Sequence, residues 1–139
     1  MLSVVVPVRL LLVDDAPEAR ATLEAHLTRC GFEVVTCASG DDALGILARQ
    51  KISCMLAEAR LFGSGAAELL SRALTRDPNL AVIVLSSRPD VGDAVRYLQY
   101  GAMDCLPKPV DLPGVEAVVQ RALRRRTERI QERSAGQLL

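Results

Sequence analysis

Residues 9–15 read R-L-L-L-V-D-D, and the character of this stretch decides the fold expected for the whole chain. Consecutive apolar residues without polar alternation are typical of a strand that is buried on both faces, as in parallel sheets covered by helices. We therefore predict a strand over Arg9–Val13. Asp14 and Asp15 would then follow the carboxyl end of that strand.

The same pattern recurs along the chain, because four more short apolar runs are each followed by a segment of helical periodicity. The predicted strands are 9–13, 33–37, 54–57, 81–85 and 104–106, and the predicted helices are 17–29, 42–49, about 66–76, 91–100 and 112–133. Strand–helix alternation predicts an α/β protein, with an open five-stranded parallel sheet and helices on both faces.

Turn residues and apolar spacing support these elements. Gly31 is placed to end the first helix, and Ser39 to cap the second. Residues 77–79, D-P-N, end the third helix. The side chains that we expect to face the core from helices are Leu23, Leu27, Ala43, Leu44, Leu47, Leu112, Val115, Val119 and Ala122.

Length and charge limit the function classes. The 139 residues suit one domain, and 17 basic against 17 acidic residues give a net charge of zero. This balance argues against bulk attraction to nucleic acid or to an anionic membrane. Residues 1–15 are apolar but are broken by Pro7 and Arg9, and they lack a signal-peptide pattern. We expect a cytoplasmic protein without a membrane span.

The four cysteines, Cys30, Cys37, Cys54 and Cys105, form no C-x-x-C pair. Three of them lie in or beside apolar runs, so we interpret them as small buried apolar residues rather than as a disulfide framework or a zinc site. Free cysteines also suit a reducing cytoplasm.

Polar residues follow four of the predicted strands: Asp14 and Asp15 the first, Glu58 the third, Ser86 the fourth and Lys108 the fifth. Taken singly, each could be a helix cap or a solvated loop residue. Together they would meet at one sheet edge, where sites of such folds lie. Acids that hold a divalent cation, with a hydroxyl and an ammonium that bind phosphoryl oxygens, suit phosphoryl transfer.

Four motifs in the sequence together match the pattern of one known protein family. They are L-L-L-V-D-D (10–15), G-F-E-V-V-T-C-A-S-G-D-D-A-L (31–44), V-I-V-L-S-S (82–87) and G-A-M-D-C-L-P-K-P (101–109). Over residues 8–124 the chain resembles a receiver domain of a two-component response regulator. The resemblance implies a flavodoxin-like (βα)5 fold, with a receiver domain over 1–124. Residues 125–139 would extend the last helix and form a linker stub toward an output domain.

The resemblance also implies roles for the strand-end residues. Asp14 and Asp15 match the acidic pair that organises magnesium, beside the acceptor position at Glu58. Ser86 matches the hydroxyl residue that reports phosphorylation, and Lys108 the lysine that pairs with the phosphoryl group or the acceptor. The bond between Lys108 and Pro109 is expected to be cis, as is typical of the family.

Three positions depart from the family's pattern. Glu58 stands where the phospho-accepting aspartate is expected, Phe62 where a proline is usual, and Cys105 where the switch aromatic sits three residues before the lysine. We therefore predict an atypical receiver, or pseudo-receiver, that is not an enzyme and acts without phosphorylation. Magnesium at Asp14, Asp15 and Glu58 would be weak or absent.

The rival functions use the same fold differently. One alternative is a working phospho-acceptor, with Glu58 or a neighbouring acid phosphorylated. A phosphatase with an aspartyl nucleophile would need two acids separated by one residue, whereas Asp14 and Asp15 are adjacent and Ala16 follows. A nucleotide- or cobalamin-binding domain would need glycines after the first strand, and D-D-A-P has none.

The expected partners are a signalling protein or an output domain, and a histidine kinase. The resemblance implies partner or dimer contacts through the face formed by helix four, strand five and helix five. We expect homodimerisation there, with Tyr97 and Tyr100 exposed. The arginines of the last helix are interpreted as a solvated face, so nucleic acid would be reached only through an output domain. The residues that mark the helix-four and strand-five region are Ala94, Val95, Leu98 and Met103.

Overall fold

A computed structural model describes residues 7–62, 68–87 and 90–137. Its five strands form one parallel sheet in the order β2-β1-β3-β4-β5, which confirms the predicted fold. The strands are β1 Arg9–Val13, β2 Glu33–Cys37, β3 Cys54–Glu58, β4 Ala81–Ser86 and β5 Asp104–Pro107. The helices are α1 Pro17–Arg29, α2 Gly40–Arg49, α3 Glu68–Arg76, α4 Val91–Gln99 and α5 Leu112–Gln137, and a 3-10 turn spans Ala59–Phe62.

The core forms two layers because successive strand residues point to opposite faces of the sheet. Leu11 and Val13 face the layer that α2 and α3 cover, whereas Leu10 and Leu12 face the layer under α1 and α5. All four of these side chains are fully buried. The central strands are therefore covered on both faces, as the apolar run at 9–13 predicted.

The strand register determines where the functional edge lies. Val13 is paired with Ala57, Glu58 with Leu85, and Ser86 with Pro107. The carboxyl ends of β1, β3, β4 and β5 are thus side by side. Residues that follow these strands emerge at one edge of the sheet.

Element boundaries depart from prediction by a few residues. α2 begins two residues early because the Ser39 hydroxyl accepts a hydrogen bond from the Asp42 N–H at 3.1 Å, which confirms the predicted cap. Gly40 then lies so close to the 3-10 turn after β3 that an added Cβ would be 3.0 Å from the Leu61 carbonyl oxygen. β3, β4 and β5 are each one residue longer than predicted, α4 is one shorter and α5 continues to Gln137. The predicted start of α3 at 66 lies outside the described residues.

The predicted core positions are mostly confirmed. Leu23, Leu27, Val115, Val119 and Ala122 are buried. In α2, Ala43 and Ile46 are buried, whereas Leu44 and Leu47 are half-buried against the core.

The cysteine prediction holds fully only for Cys54, which is buried. Cys30, Cys37 and Cys105 are half-buried, and all four are free. Residues 1–6 lie outside the described part of the chain, so the interpretation of the apolar N-terminus stays a prediction. Within the described ranges, no helix is long and apolar enough to cross a membrane.

Candidate functional site at the carboxyl edge of the sheet

Lys108 is the centre of the charged cluster at this edge. Its Nζ donates a hydrogen bond to Asp14 Oδ2 at 2.7 Å and lies 3.1 Å from Glu58 Oε2. The position of Lys108 is held by the sheet, because its main-chain N–H donates to the Ser86 carbonyl at 2.8 Å. The peptide bond to Pro109 is cis, as predicted. The expected proximity of Glu58 and Lys108 is therefore observed.

Asp14 is buried and held from several directions. Its side chain is 2% exposed, and Oδ1 accepts a hydrogen bond from the Ala16 N–H at 2.9 Å. Its main-chain carbonyl accepts a hydrogen bond from Arg20 Nη1 at 2.7 Å. Asp14 is consequently fixed by the turn that leads from β1 into α1.

Glu58 is the last residue of β3, and its side chain is only 1% exposed. Its Oε2 is paired with Lys108, and its Oε1 lies 3.5 Å from Arg60 Nε. These are ion-pair distances, but neither carboxylate oxygen has a partner in hydrogen-bonding geometry among the described residues. The buried charge of Glu58 therefore depends on the two cations beside it.

Asp15 joins the cluster indirectly, through a residue that the sequence did not single out. Arg60 Nη2 donates to Asp15 Oδ1 at 2.9 Å. Arg60 lies in the 3-10 turn Ala59–Phe62, a stretch for which the sequence predicted neither a strand nor a helix. In the sequence, the feature that points to Arg60 is its position two residues after Glu58, the acid that ends β3.

Opposing effects act on the pKa of Lys108. Burial lowers it, but the hydrogen bond to Asp14 and the negative charges of Glu58 and Asp14 outweigh burial, so that the pKa is raised above its ordinary value of 10.5. The ammonium is therefore charged at neutral pH, which is the state in which it stabilises both carboxylates.

A cysteine, Cys105, occupies the switch position where the family usually has an aromatic residue. Cys105 lies on β5 and is half-buried against the α2/α3 layer of the core. Burial, followed by the charges of Asp104 and Asp93, raises the pKa of its thiol. Tyr97 on α4 is packed against the same layer and is half-buried. The prediction that Tyr97 is exposed was therefore wrong, because its ring is packed against the core, whereas Tyr100 is 52% exposed.

The magnesium ion that the resemblance implies does not fit this arrangement. Throughout the described ranges, no three acidic, histidine or cysteine side chains are placed to share a metal ion. Each of Asp14, Asp15 and Glu58 is instead paired with Lys108 or Arg60. Four of their oxygens, namely Asp14 Oδ2, Asp15 Oδ1 and both oxygens of Glu58, already face positive side chains.

Comparisons with known proteins place the chain in a family. Residues 10–120 match the model of the response regulator receiver domain. The chain is 36% identical over 124 residues to the DNA-binding transcriptional regulator NtrC of Klebsiella pneumoniae, covering 89% of this chain and 26% of that protein. It is 38% identical over 116 residues to the transcriptional regulatory protein AfsQ1 of Streptomyces coelicolor, covering 84% and 51%.

A solved structure agrees with this assignment. The crystal structure of a putative response regulator from Chloroflexus aurantiacus is 27% identical, with a TM-score of 0.78, and the match covers 86% of this chain and 99% of that one. The chain spans about a quarter to a half of the two curated relatives named above. On the family match and the shared fold, this chain belongs to the response regulator receiver domain family.

Proposed function

We propose that this chain is a phosphorylation-independent receiver domain that regulates a partner by protein–protein contact, without turnover of its own. The observation that carries the proposal is the buried ion pair between Glu58 Oε2 and Lys108 Nζ, at 3.1 Å. In this pair the residue at the acceptor position and the lysine at the phosphoryl-binding position already form an ion pair with each other. The site therefore has a stable arrangement in which no phosphoryl group is needed.

The length of the side chain disfavours transfer to Glu58. Its extra methylene moves the carboxylate by about 1.5 Å relative to aspartate. In-line transfer is sensitive to such displacements, since an error of 1 Å can cost about 100-fold in rate. Both oxygens of Glu58 are also held by cations, so the carboxylate would have to break these pairs before it could attack.

The charge of Glu58 supports a constitutive state. It places one negative charge against Lys108, whereas a phosphoryl group carries about −1.5 to −2 at neutral pH. Glu58 therefore imitates the sign of a phosphorylated aspartate but not its full charge. A partner that reads the position of Lys108 would encounter one fixed arrangement.

The test is intact mass spectrometry after incubation with acetyl phosphate and MgCl2. We expect the mass of the wild-type chain to stay unchanged. Glu58→Gln is the matched control, because it keeps the shape of the side chain but cannot accept a phosphoryl group. Stoichiometric phosphate on the wild type, but not on Glu58→Gln, would show that Glu58 is a working phospho-acceptor. That result would contradict the proposal.

Glu58→Asp asks whether the remaining groups can still support transfer. The shorter acid restores the separation that an aspartyl acceptor would have, so we expect this variant to take up more label than the wild type. Equal labelling of the two chains would mean that side-chain length alone does not account for the barrier to transfer.

We propose that the partner face is formed by α4, β5 and α5, as the sequence analysis predicted. The side chains of Val91, Val95, Leu98 and Tyr100 are 81, 47, 47 and 52% exposed. A cluster of apolar side chains in water favours association with another surface. The occupant would be a second copy of this chain, another signalling protein or an output domain in the same cytoplasmic pathway.

The C-terminal helix supports a connection to further chain. α5 runs without a break from Leu112 to Gln137, past the predicted boundary at 124. The relatives named above are transcriptional regulators much longer than the matched region. We propose that α5 links this domain to an output domain, through which nucleic acid would be contacted. A histidine kinase remains the proposed upstream partner only if a phosphorylated form exists.

A further inference from the structure

Arg60 connects two acids that lie on different strands. Its Nη2 donates to Asp15 Oδ1 at 2.9 Å, and its Nε lies 3.5 Å from Glu58 Oε1. Asp15 follows β1 and Glu58 ends β3. A single guanidinium therefore occupies the space between the two carboxylates, and it reaches them from the 3-10 turn that begins directly after Glu58.

Two cations compensate most of the negative charge around Arg60. The acids are Asp14, Asp15 and Glu58. Lys108 pairs with Asp14 and Glu58, and Arg60 pairs with Asp15 and Glu58. Three negative and two positive charges leave a formal sum of −1, and every one of the three carboxylates has a cation beside it.

A cluster whose carboxylates are already paired with cations is a poor site for a divalent metal ion. Magnesium is held by one or two carboxylates together with other oxygen ligands, and it loses its water reluctantly. Here a metal ion would have to displace a guanidinium from Asp15 and Glu58, and it would be repelled by Lys108. This agrees with the lack of any metal-holding trio in the part of the chain that is described.

We propose that Arg60 is a built-in cation that takes the place of a divalent metal between Asp15 and Glu58 and keeps this site metal-independent. The inference rests on the proposed function, because a site that needs no phosphoryl group also needs no metal to receive one. The class of cation that Arg60 excludes is a small divalent ion that prefers oxygen ligands.

The test is a titration with Mn²⁺, in which the free ion is counted by its electron paramagnetic resonance signal and no phosphoryl donor is present. We expect very weak binding to the wild type. Removal of the guanidinium in Arg60→Ala should raise the affinity for Mn²⁺ by at least about tenfold, because a positive charge within a few ångströms of the ion is lost. Arg60→Lys, which keeps the charge, should bind as weakly as the wild type.

The chain offers a matched control for this substitution. Arg72 has the same exposed fraction as Arg60, 62%, and it also pairs with a glutamate, Glu68, at 3.6 Å. Arg72→Ala should leave Mn²⁺ binding unchanged. In the double variant Asp15→Asn with Arg60→Ala the gain should disappear, because the carboxylate that Arg60 released is gone. Circular dichroism establishes that each variant is folded before titration.

Two outcomes would overturn the inference: tight Mn²⁺ binding by the wild type, or binding by Arg60→Ala that stays as weak as that of the wild type. Neither depends on phosphorylation. A wild-type chain that binds metal but takes up no phosphate would leave the proposed function standing. A wild-type chain that takes up phosphate without tight metal binding would overturn the proposed function instead.

Discussion

The carboxyl edge of the sheet and helix α4 distribute polarity in opposite ways. At the edge, Asp14 and Glu58 are charged residues with 2 and 1% of their side chains exposed. On α4, none of the nine helical residues is fully buried, and Val91 is 81% exposed. Charges are thus inside and apolar side chains outside, the reverse of the usual arrangement.

At the edge, the buried charges are compensated by other residues of the same chain. On α4, the exposed apolar side chains could be covered only by another surface. Buried charges are tolerated because Lys108 and Arg60 lie beside them, so the edge is complete within one chain. Tyr97 of α4 is packed against the core, whereas Val91, Val95 and Leu98 have no equivalent cover among the described residues. We therefore expect substitutions at the edge to change folding stability, and substitutions on α4 to change association.

The largest effect is expected for Lys108→Met. This change leaves two buried carboxylates without their shared cation, and the loss of one partner of a buried pair costs about 3–5 kcal/mol. Urea denaturation should show this decrease in the free energy of unfolding. Arg96→Met is the matched control on α4, where an exposed pair with Asp93 at 4.0 Å should be worth at most about 1 kcal/mol. Equal losses in the two variants would contradict the contrast between the regions.

A second substitution in the same background sharpens this result. Adding Glu58→Gln to Lys108→Met removes one of the two buried charges that have lost Lys108, so the double variant should be more stable than Lys108→Met alone. Such non-additivity is the mark of residues that act as one network. Simple addition of the two losses would mean that Glu58 and Lys108 do not interact.

The pH dependence of the edge has a definite sign. The pKa of Lys108 is raised in the folded chain, so its stabilising contribution is complete below the ordinary value of 10.5 and is lost as the pH rises through the folded value. The difference in unfolding free energy between the wild type and Lys108→Met should stay constant from neutral pH to about 10 and shrink above it. A difference that grows at alkaline pH would show that the sign is wrong.

A smaller effect is expected where α4 begins. The Asp90 carboxylate accepts a hydrogen bond from the Gly92 N–H at 2.7 Å, and loss of such a cap costs about 1 kcal/mol. Because α4 buries no residue fully, Asp90→Ala should also reduce hydrogen-exchange protection throughout α4. Ser39→Ala removes the corresponding cap from α2, but Ala43 and Ile46 anchor that helix in the core, so its protection should persist.

The smallest change in stability is expected for Val95→Ser and Leu98→Ser. Exposed positions without special contacts usually change stability by less than about 0.5 kcal/mol each. Sedimentation velocity over a range of concentrations should instead show weaker self-association of the double variant. Unchanged association with intact stability would indicate that this face is not the dimer contact.

Prediction from the sequence was most accurate where apolar patterning dictates structure. β1 and β2 begin and end at the predicted residues, because short runs of apolar or β-branched residues, such as L-L-L-V and E-V-V-T-C, favour strands. The predicted bounds were less accurate where the end of a helix depends on contacts with neighbouring residues. The early start of α2 depends on the Ser39 hydrogen bond and on the close approach of Gly40 to Leu61.

The candidate site shows the same division. The convergence of Asp14, Glu58 and Lys108 at one edge could be inferred from which residue follows which strand, because the carboxyl ends of parallel strands lie at the same edge of a sheet. Arg60 could not be inferred, because an arginine in a turn has many rotamers and the 3-10 geometry decides where its guanidinium points. Half-burial of Tyr97 was missed for a related reason, since it depends on how α4 packs on the sheet.

Apolar periodicity along the chain was therefore sufficient for the order of elements, the parallel sheet and its functional edge. The resemblance predicted that Lys108 lies beside Glu58, but two other pairs came only from the folded arrangement. Lys108 lies 2.7 Å from Asp14, 94 positions away in the chain, and Arg60 lies 2.9 Å from Asp15. The physical reason is that hydrophobic burial and ion pairing depend on the sequence over different ranges. Hydrophobic burial is summed over many residues and leaves a repeating pattern in the sequence, whereas an ion pair depends on a few ångströms between two side chains.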